Sequence, residues 1–200
     1  MWYYIKQSVI SLGYLVFISF GSIFVSLIGN DLIWLKWIFS IIILAVYIMI
    51  VGISSYKDGE IAYKKLLAND LERRRIIETG EDIPLNVREE YRPWKGFLTG
   101  GITCIPMFVL LIVHTIVGLA TNGKFLDFGG TAVVIYMPMF IFFHMDSSVS
   151  LAFGDYYLLL FAVPIILLTT GLPYIWGTLK VRKTQEIVKQ RKEQIYGKSE

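Results

Sequence analysis

The chain has 200 residues, of which 55% are hydrophobic and only 18% are charged, so it is too apolar for a soluble domain of ordinary composition. The formal net charge of +3 gives no reason to expect a nucleic-acid partner, and the single cysteine, Cys104, excludes a disulfide within the chain. The charged residues concentrate in residues 56–95 and after residue 179. This segregation is typical of a protein whose apolar segments cross a membrane, because hydrocarbon excludes ionised side chains.

Two apolar segments open the chain and predict a first transmembrane hairpin over residues 1–55. Residues 9–28 are uncharged and long enough to cross about 30 Å of hydrocarbon as a helix. Residues 32–53 form a second apolar run, which follows after a short turn at residues 29–31. Because so short a connection joins them, we expect these two helices to be antiparallel neighbours.

Small residues recur at spacings of three and four along the first apolar segment, which places them on one face of a helix. Small side chains let another helix approach closely, and serine hydroxyls can form hydrogen bonds across the contact. The face therefore predicts a helix-packing seam made by Ser11, Ser19, Ser22, Ser26 and Gly29. A polar lining for a solute path is the alternative interpretation of the same pattern.

The polar interval from residue 56 to residue 95 predicts a cytoplasmic helical insert. Asp58 is expected to cap a helix that ends near Thr79, where Gly80 can adopt the left-handed conformation that stops it. This helix is amphipathic, so it needs a partner: the membrane surface, the chain's own return segment or another protein. The apolar stripe predicted to bind that partner is Tyr63, Leu66, Leu67 and Leu71.

Residues 96–179 predict a second transmembrane pair, with spans at residues 97–119 and 158–179. In the first of these spans one helical face carries both small residues and the ionisable His114: Gly100, Thr103, Met107, Leu111, His114 and Gly118. An ionisable side chain inside a span is a candidate for transport or proton relay, although a neutral histidine can also have a structural role.

Two features make the second half less regular than the first. Residues 131–145 are apolar but too short for a crossing, which predicts a re-entrant or interfacial segment. The last span contains the sequence TTGLP at residues 169–173, which predicts an irregular or kinked helix.

The distribution of lysine and arginine predicts the orientation. The central interval holds nine of these residues, and the basic helical tail, residues 180–200, holds seven. Positively charged residues near spans stay in the cytoplasm, so the insert, the tail and the N-terminus are all expected inside. The result is an all-α polytopic membrane protein with four transmembrane helices, placed in a bacterial cell membrane, whose tail contacts anionic lipid headgroups.

The sequence predicts no catalytic residues, no cofactor and no metal site. His144 and Asp146, with Asp155 and Asp127 nearby in sequence, lack the spacing of a recognised ligand set, and no phosphate-binding loop is present. We therefore predict a non-enzymatic accessory, assembly or regulatory subunit that acts through its insert and packing seam, with a protein partner or a second copy. A small transporter or channel subunit with a path between helices near His114 is the alternative.

Overall fold

The structure is a computed structural model that describes residues 2–26, 28, 32–80, 85, 90–121 and 160–197. These residues form four helices: α1 (Trp2–Ser26), α2 (Ile33–Thr79), α3 (Lys95–Ala120) and α4 (Ala162–Tyr196). Each helix is long enough and apolar enough to cross a membrane, which agrees with the predicted all-helical class and the four predicted spans. The predicted re-entrant segment, residues 131–145, lies outside the described residues.

The four helices form a bundle in which α2 and α3 both pack against α1, and both also pack against α4. Helix α1 runs antiparallel to α2, because Gln7 meets Asp58 near one end and Gly21 faces Ile43 near the other. This arrangement confirms that the first two helices are antiparallel neighbours.

Helix α3 runs antiparallel to α4, since Gly96 lies against Tyr174 and Gly100 lies against Ile166. It runs in the same direction as α1, and α4 runs in the same direction as α2. One end of the bundle therefore contains the start of α1, the second half of α2, the start of α3 and the second half of α4. We call this the polar end.

Apolar side chains cover the outside of the bundle, whereas hydroxyl groups lie inside it. Phe17 and Phe24 of α1 are 75% and 72% exposed, while Ser19 and Ser22 of the same helix are each 1% exposed. A soluble protein places such residues the other way round. This distribution suits helices that face lipid and pack through small residues.

Buried apolar side chains from all four helices fill the middle of the bundle. We call this set the apolar layer: Leu15 and Ile18 of α1, Tyr47 and Val51 of α2, Cys104, Met107 and Leu111 of α3, and Ala162 and Ile166 of α4. Dispersion contacts between such closely packed side chains stabilise helix bundles even where lipid replaces water outside.

Helix α2 differs from its prediction. It continues without a break from the apolar run into the polar interval, so Asp58 lies in the helix interior and does not cap a separate helix. The reason is local: no proline occurs between residues 53 and 58, so nothing interrupts the backbone hydrogen bonds where the apolar run ends. The predicted stop is confirmed, because Gly80 has φ 71° and its amide donates to the carbonyl of Ile76 at 2.9 Å.

Helix α4 is also continuous, and the last apolar span and the basic tail belong to the same helix. It runs through Pro173. Proline removes one backbone hydrogen bond, but α4 is packed between α2 and α3, and this packing supports the helix on both sides. Pro164 lies in the first turn, where its missing amide proton costs little.

Candidate functional site

The chain returns to the bundle at the polar end by packing against α2. The described part of this return, residues 90–94, is called the return segment. The amide of Tyr91 donates to the backbone carbonyl of Ala62 at 3.1 Å, and its ring meets the ring of Tyr63 edge-on with centroids 5.8 Å apart. Tyr63 therefore contacts the chain's own return segment. This segment was one of the three partners that the sequence allows for the amphipathic helix.

Glu90 anchors the return segment through its side chain and its backbone. Its carboxylate is buried and accepts hydrogen bonds from Asn69 Nδ2, at 2.7 Å, and from the guanidinium of Arg73. Arg73 also pairs with Asp70 at 2.7 Å, and the carbonyl of Glu90 accepts a hydrogen bond from the ammonium group of Lys95. A buried carboxylate needs such donors, because moving its charge out of water without new hydrogen bonds is costly.

Aromatic rings extend this contact from α2 to α1 and α4. The ring of Tyr91 stacks on Tyr174 of α4, with centroids 5.6 Å apart and an interplanar angle of 18°. Trp94 stacks on Tyr4 of α1 at 6.2 Å, and the ammonium group of Lys95 lies 5.6 Å from the centre of the same tyrosine ring. The return segment thus joins three helices at the polar end.

The four residues of the predicted partner-binding stripe divide between covered and open positions. Tyr63, Leu66 and Leu67 are partly buried, whereas Leu71 is 66% exposed. At 100° per residue, Leu71 lies about 180° around the helix from Ala62, which the return segment covers. The return segment therefore accounts for part of the stripe and leaves Leu71 open.

Helices α2 and α4 cross in direct backbone contact just inside the polar end. A Cβ atom at Gly59 would overlap with the carbonyl of Tyr174, and a Cβ atom at Gly177 would overlap with the carbonyl of Tyr56. Beyond this crossing, Lys180 Nζ lies 3.1 Å from Glu60 Oε1 and 5.6 Å from the centre of the Tyr56 ring.

The serine face of α1 points into the bundle. Ser11, Ser19 and Ser22 are buried, and the nearby Ser8 donates a hydrogen bond to the carbonyl of Thr99 in α3 at 3.0 Å. The side chain of Ser26 and the whole of Gly29 lie outside the described residues. The packing role assigned to these serines and to Gly29 stays a prediction.

The predicted face of α3 is buried along its whole length, since its six members are all buried: Gly100, Thr103, Met107, Leu111, His114 and Gly118. His114 is 1% exposed. Met107 and Leu111 precede it on the same face, so the apolar layer separates His114 from the polar end.

Among the described residues, no three histidine, cysteine, aspartate or glutamate side chains converge on a point where they could hold a metal ion. His144, Asp146, Asp127 and Asp155 lie outside the described residues. No family model, curated protein or solved structure matches the chain.

Two parts of this site were missed at the sequence level. Gly52, Ser55 and Gly59 form a small-residue face on α2 that indicates a close helix crossing, but this face extends past residue 53, where the predicted apolar run ends. Glu90 had no comparable signal, because its partner Asn69 is 21 residues away in the sequence.

Proposed function

We propose that this chain is a non-enzymatic multi-pass membrane protein that acts as an accessory, assembly or regulatory subunit. In this proposal the polar end faces the cytoplasm and carries the contacts with a protein partner. The observation that supports this proposal is that α2 and α4 are longer than their apolar parts. Both helices continue beyond their apolar parts and expose apolar side chains there, among charged ones.

The second half of α2 supplies the first contact surface. Leu71 is 66% exposed, and Arg74 and Arg75 are exposed beside it. The return segment occupies the opposite side of the helix. An exposed leucine on a helix that is anchored on its other side is suited to receive a partner without unfolding the bundle.

The basic part of α4 supplies the second surface. Every residue from 182 to 195 is exposed, including the apolar Ile187, Val188 and Ile195. A helix of this length is marginally stable in water by itself, so a partner that covers its apolar residues would stabilise it. Lys180 and Arg182 lie nearest to the apolar span, so they are the cations best placed for anionic lipid headgroups.

The apolar layer favours a role through protein contacts over a role in transport. A solute path past His114 would have to pass Met107 and Leu111, which are 0% and 6% exposed. The transport alternative therefore needs a second conformation in which this layer opens.

The test is to purify the tagged protein from its native membrane in nanodiscs and to measure the mass of the intact complex. We expect a stoichiometric foreign protein that is lost in Leu71→Glu, because a buried charge in the contact is costly. Ile77→Glu is the matched control, since Ile77 is 83% exposed and lies on a different side of the same helix. A complex that contains only this chain, unchanged by Leu71→Glu, contradicts the proposal.

A further inference from the structure

Two small cavities lie side by side near the polar end, where α1, α2 and α3 meet. Gln7, Ser55 and Thr99 line both of them. Each cavity is partly enclosed and has room for about one water molecule. The first cavity borders the apolar layer at Val51, and the second lies nearer the polar end, beside Asp58 and Lys95.

Each cavity contains a buried hydroxyl group whose hydrogen bonding is incomplete among the described residues: the hydroxyl of Ser11 has no partner, and that of Tyr174 has only the backbone of Arg92. Ser11, 6% exposed, lines the first cavity, and Tyr174, 4% exposed, lines the second. By contrast, Ser19, Ser40 and Thr103 donate to carbonyl groups of their own helices. Buried polar groups in native proteins almost always have a partner, which is often an ordered water molecule.

The second cavity also contains Asp58, whose carboxylate accepts a hydrogen bond from Gln7 Nε2. A carboxylate has about four acceptor positions, so one amide donor leaves most of its capacity unused. Lys95 lines the same cavity. Its positive charge opposes the entry of a cation, so a neutral polar molecule fits the cavity better.

We propose that both cavities hold an ordered water molecule: one bound to Ser11, and one that bridges the hydroxyl of Tyr174 and the carboxylate of Asp58. The second water solvates a carboxylate that is partly buried in the bundle. It also links α2 to α4 where the rings of Tyr174 and Tyr91 stack. The proposal is independent of the proposed function.

X-ray radiolytic labelling of the full chain in nanodiscs tests this inference, because side chains next to bound water are oxidised by radicals formed from that water. Tyr47 is the matched control, a tyrosine that is 0% exposed within the apolar layer. We expect Tyr174 to be oxidised several times faster than Tyr47. Oxidation of Tyr174 no faster than that of Tyr47 overturns the proposal.

Two variants sharpen the test. Ser55→Val narrows both cavities at their shared wall and should slow the labelling of Tyr174 while leaving Tyr47 unchanged; unchanged labelling of Tyr174 counts against the water. Tyr174→Phe removes only a hydroxyl group. It should lower the melting temperature; an unchanged or raised melting temperature would show that the hydroxyl has no partner, which overturns the water at Tyr174.

Discussion

Gly59 of α2 and Gly177 of α4 each lie against the backbone of the other helix, at a crossing where neither position has room for a side chain. The two backbones touch there, so each glycine is required by its partner helix and not by its own conformation. This crossing fixes the part of α4 that also packs against α3 through Gly171 and Phe97. The position of the basic tail therefore depends on it.

Gly59→Ala should destabilise the protein. Its methyl group would overlap with the carbonyl of Tyr174, and backbone cannot move aside cheaply, so we expect a loss of roughly 1–3 kcal/mol or more. The matched control is Gly101→Ala on α3, where nothing lies within 4 Å and alanine gains up to about 1 kcal/mol of helix propensity. Thermal unfolding in detergent, followed by circular dichroism, measures both. Equal melting temperatures for the two variants would show that the crossing is not close.

Glu90→Ala should release the return segment from α2. The substitution leaves the buried amide of Asn69 without its acceptor and Arg73 without one of its two carboxylates, a loss of roughly 1–3 kcal/mol. Limited proteolysis should then cut the chain after Gly80 faster than in the wild type.

The control for this prediction is Glu186→Ala, which breaks an exposed pair with Arg182 four residues away. Such a pair contributes only about 0.3–0.5 kcal/mol. Equal protease sensitivity in the Glu90 and Glu186 variants would contradict the role given to Glu90.

Helical periodicity predicted which residues of the third helix share one face. The face of α3 that includes Gly100, Met107 and His114 is buried throughout, and the left-handed stop at Gly80 is where its residue type indicated. Both features depend on neighbours within about two helical turns, so the local sequence is sufficient to place them.

Contacts between distant residues could not be predicted in this way. The hydrogen bond between Gln7 and Asp58 joins residues 51 positions apart, whereas the local sequence around Asp58 predicts a helix cap. The two cavities depend on the same long-range packing. Only the packing of the whole bundle places Ser11 and Tyr174 in neighbouring cavities.

Reconstituted vesicles should test the closed state of the apolar layer. Because Met107 and Leu111 are buried between His114 and the polar end, we expect wild-type vesicles to hold a proton gradient as long as protein-free vesicles do. A pH-sensitive dye inside the vesicles measures the decay. A leak in the wild type that His114→Ala abolishes would favour the transport alternative.

The basic residues of the bundle predict its orientation in the membrane. The start of α1, the polar half of α2 and the end of α4 lie at one end of the bundle, together with most of its lysine and arginine residues. Since such residues stay in the cytoplasm, a periplasm-active reporter fused after Glu200 should be silent. The same reporter fused after Thr121, at the opposite end of α3, should be active and serves as the control for insertion. Activity after Glu200 would place the basic tail outside. This result would contradict both the four-span topology and the proposal that Leu71 binds a cytoplasmic partner.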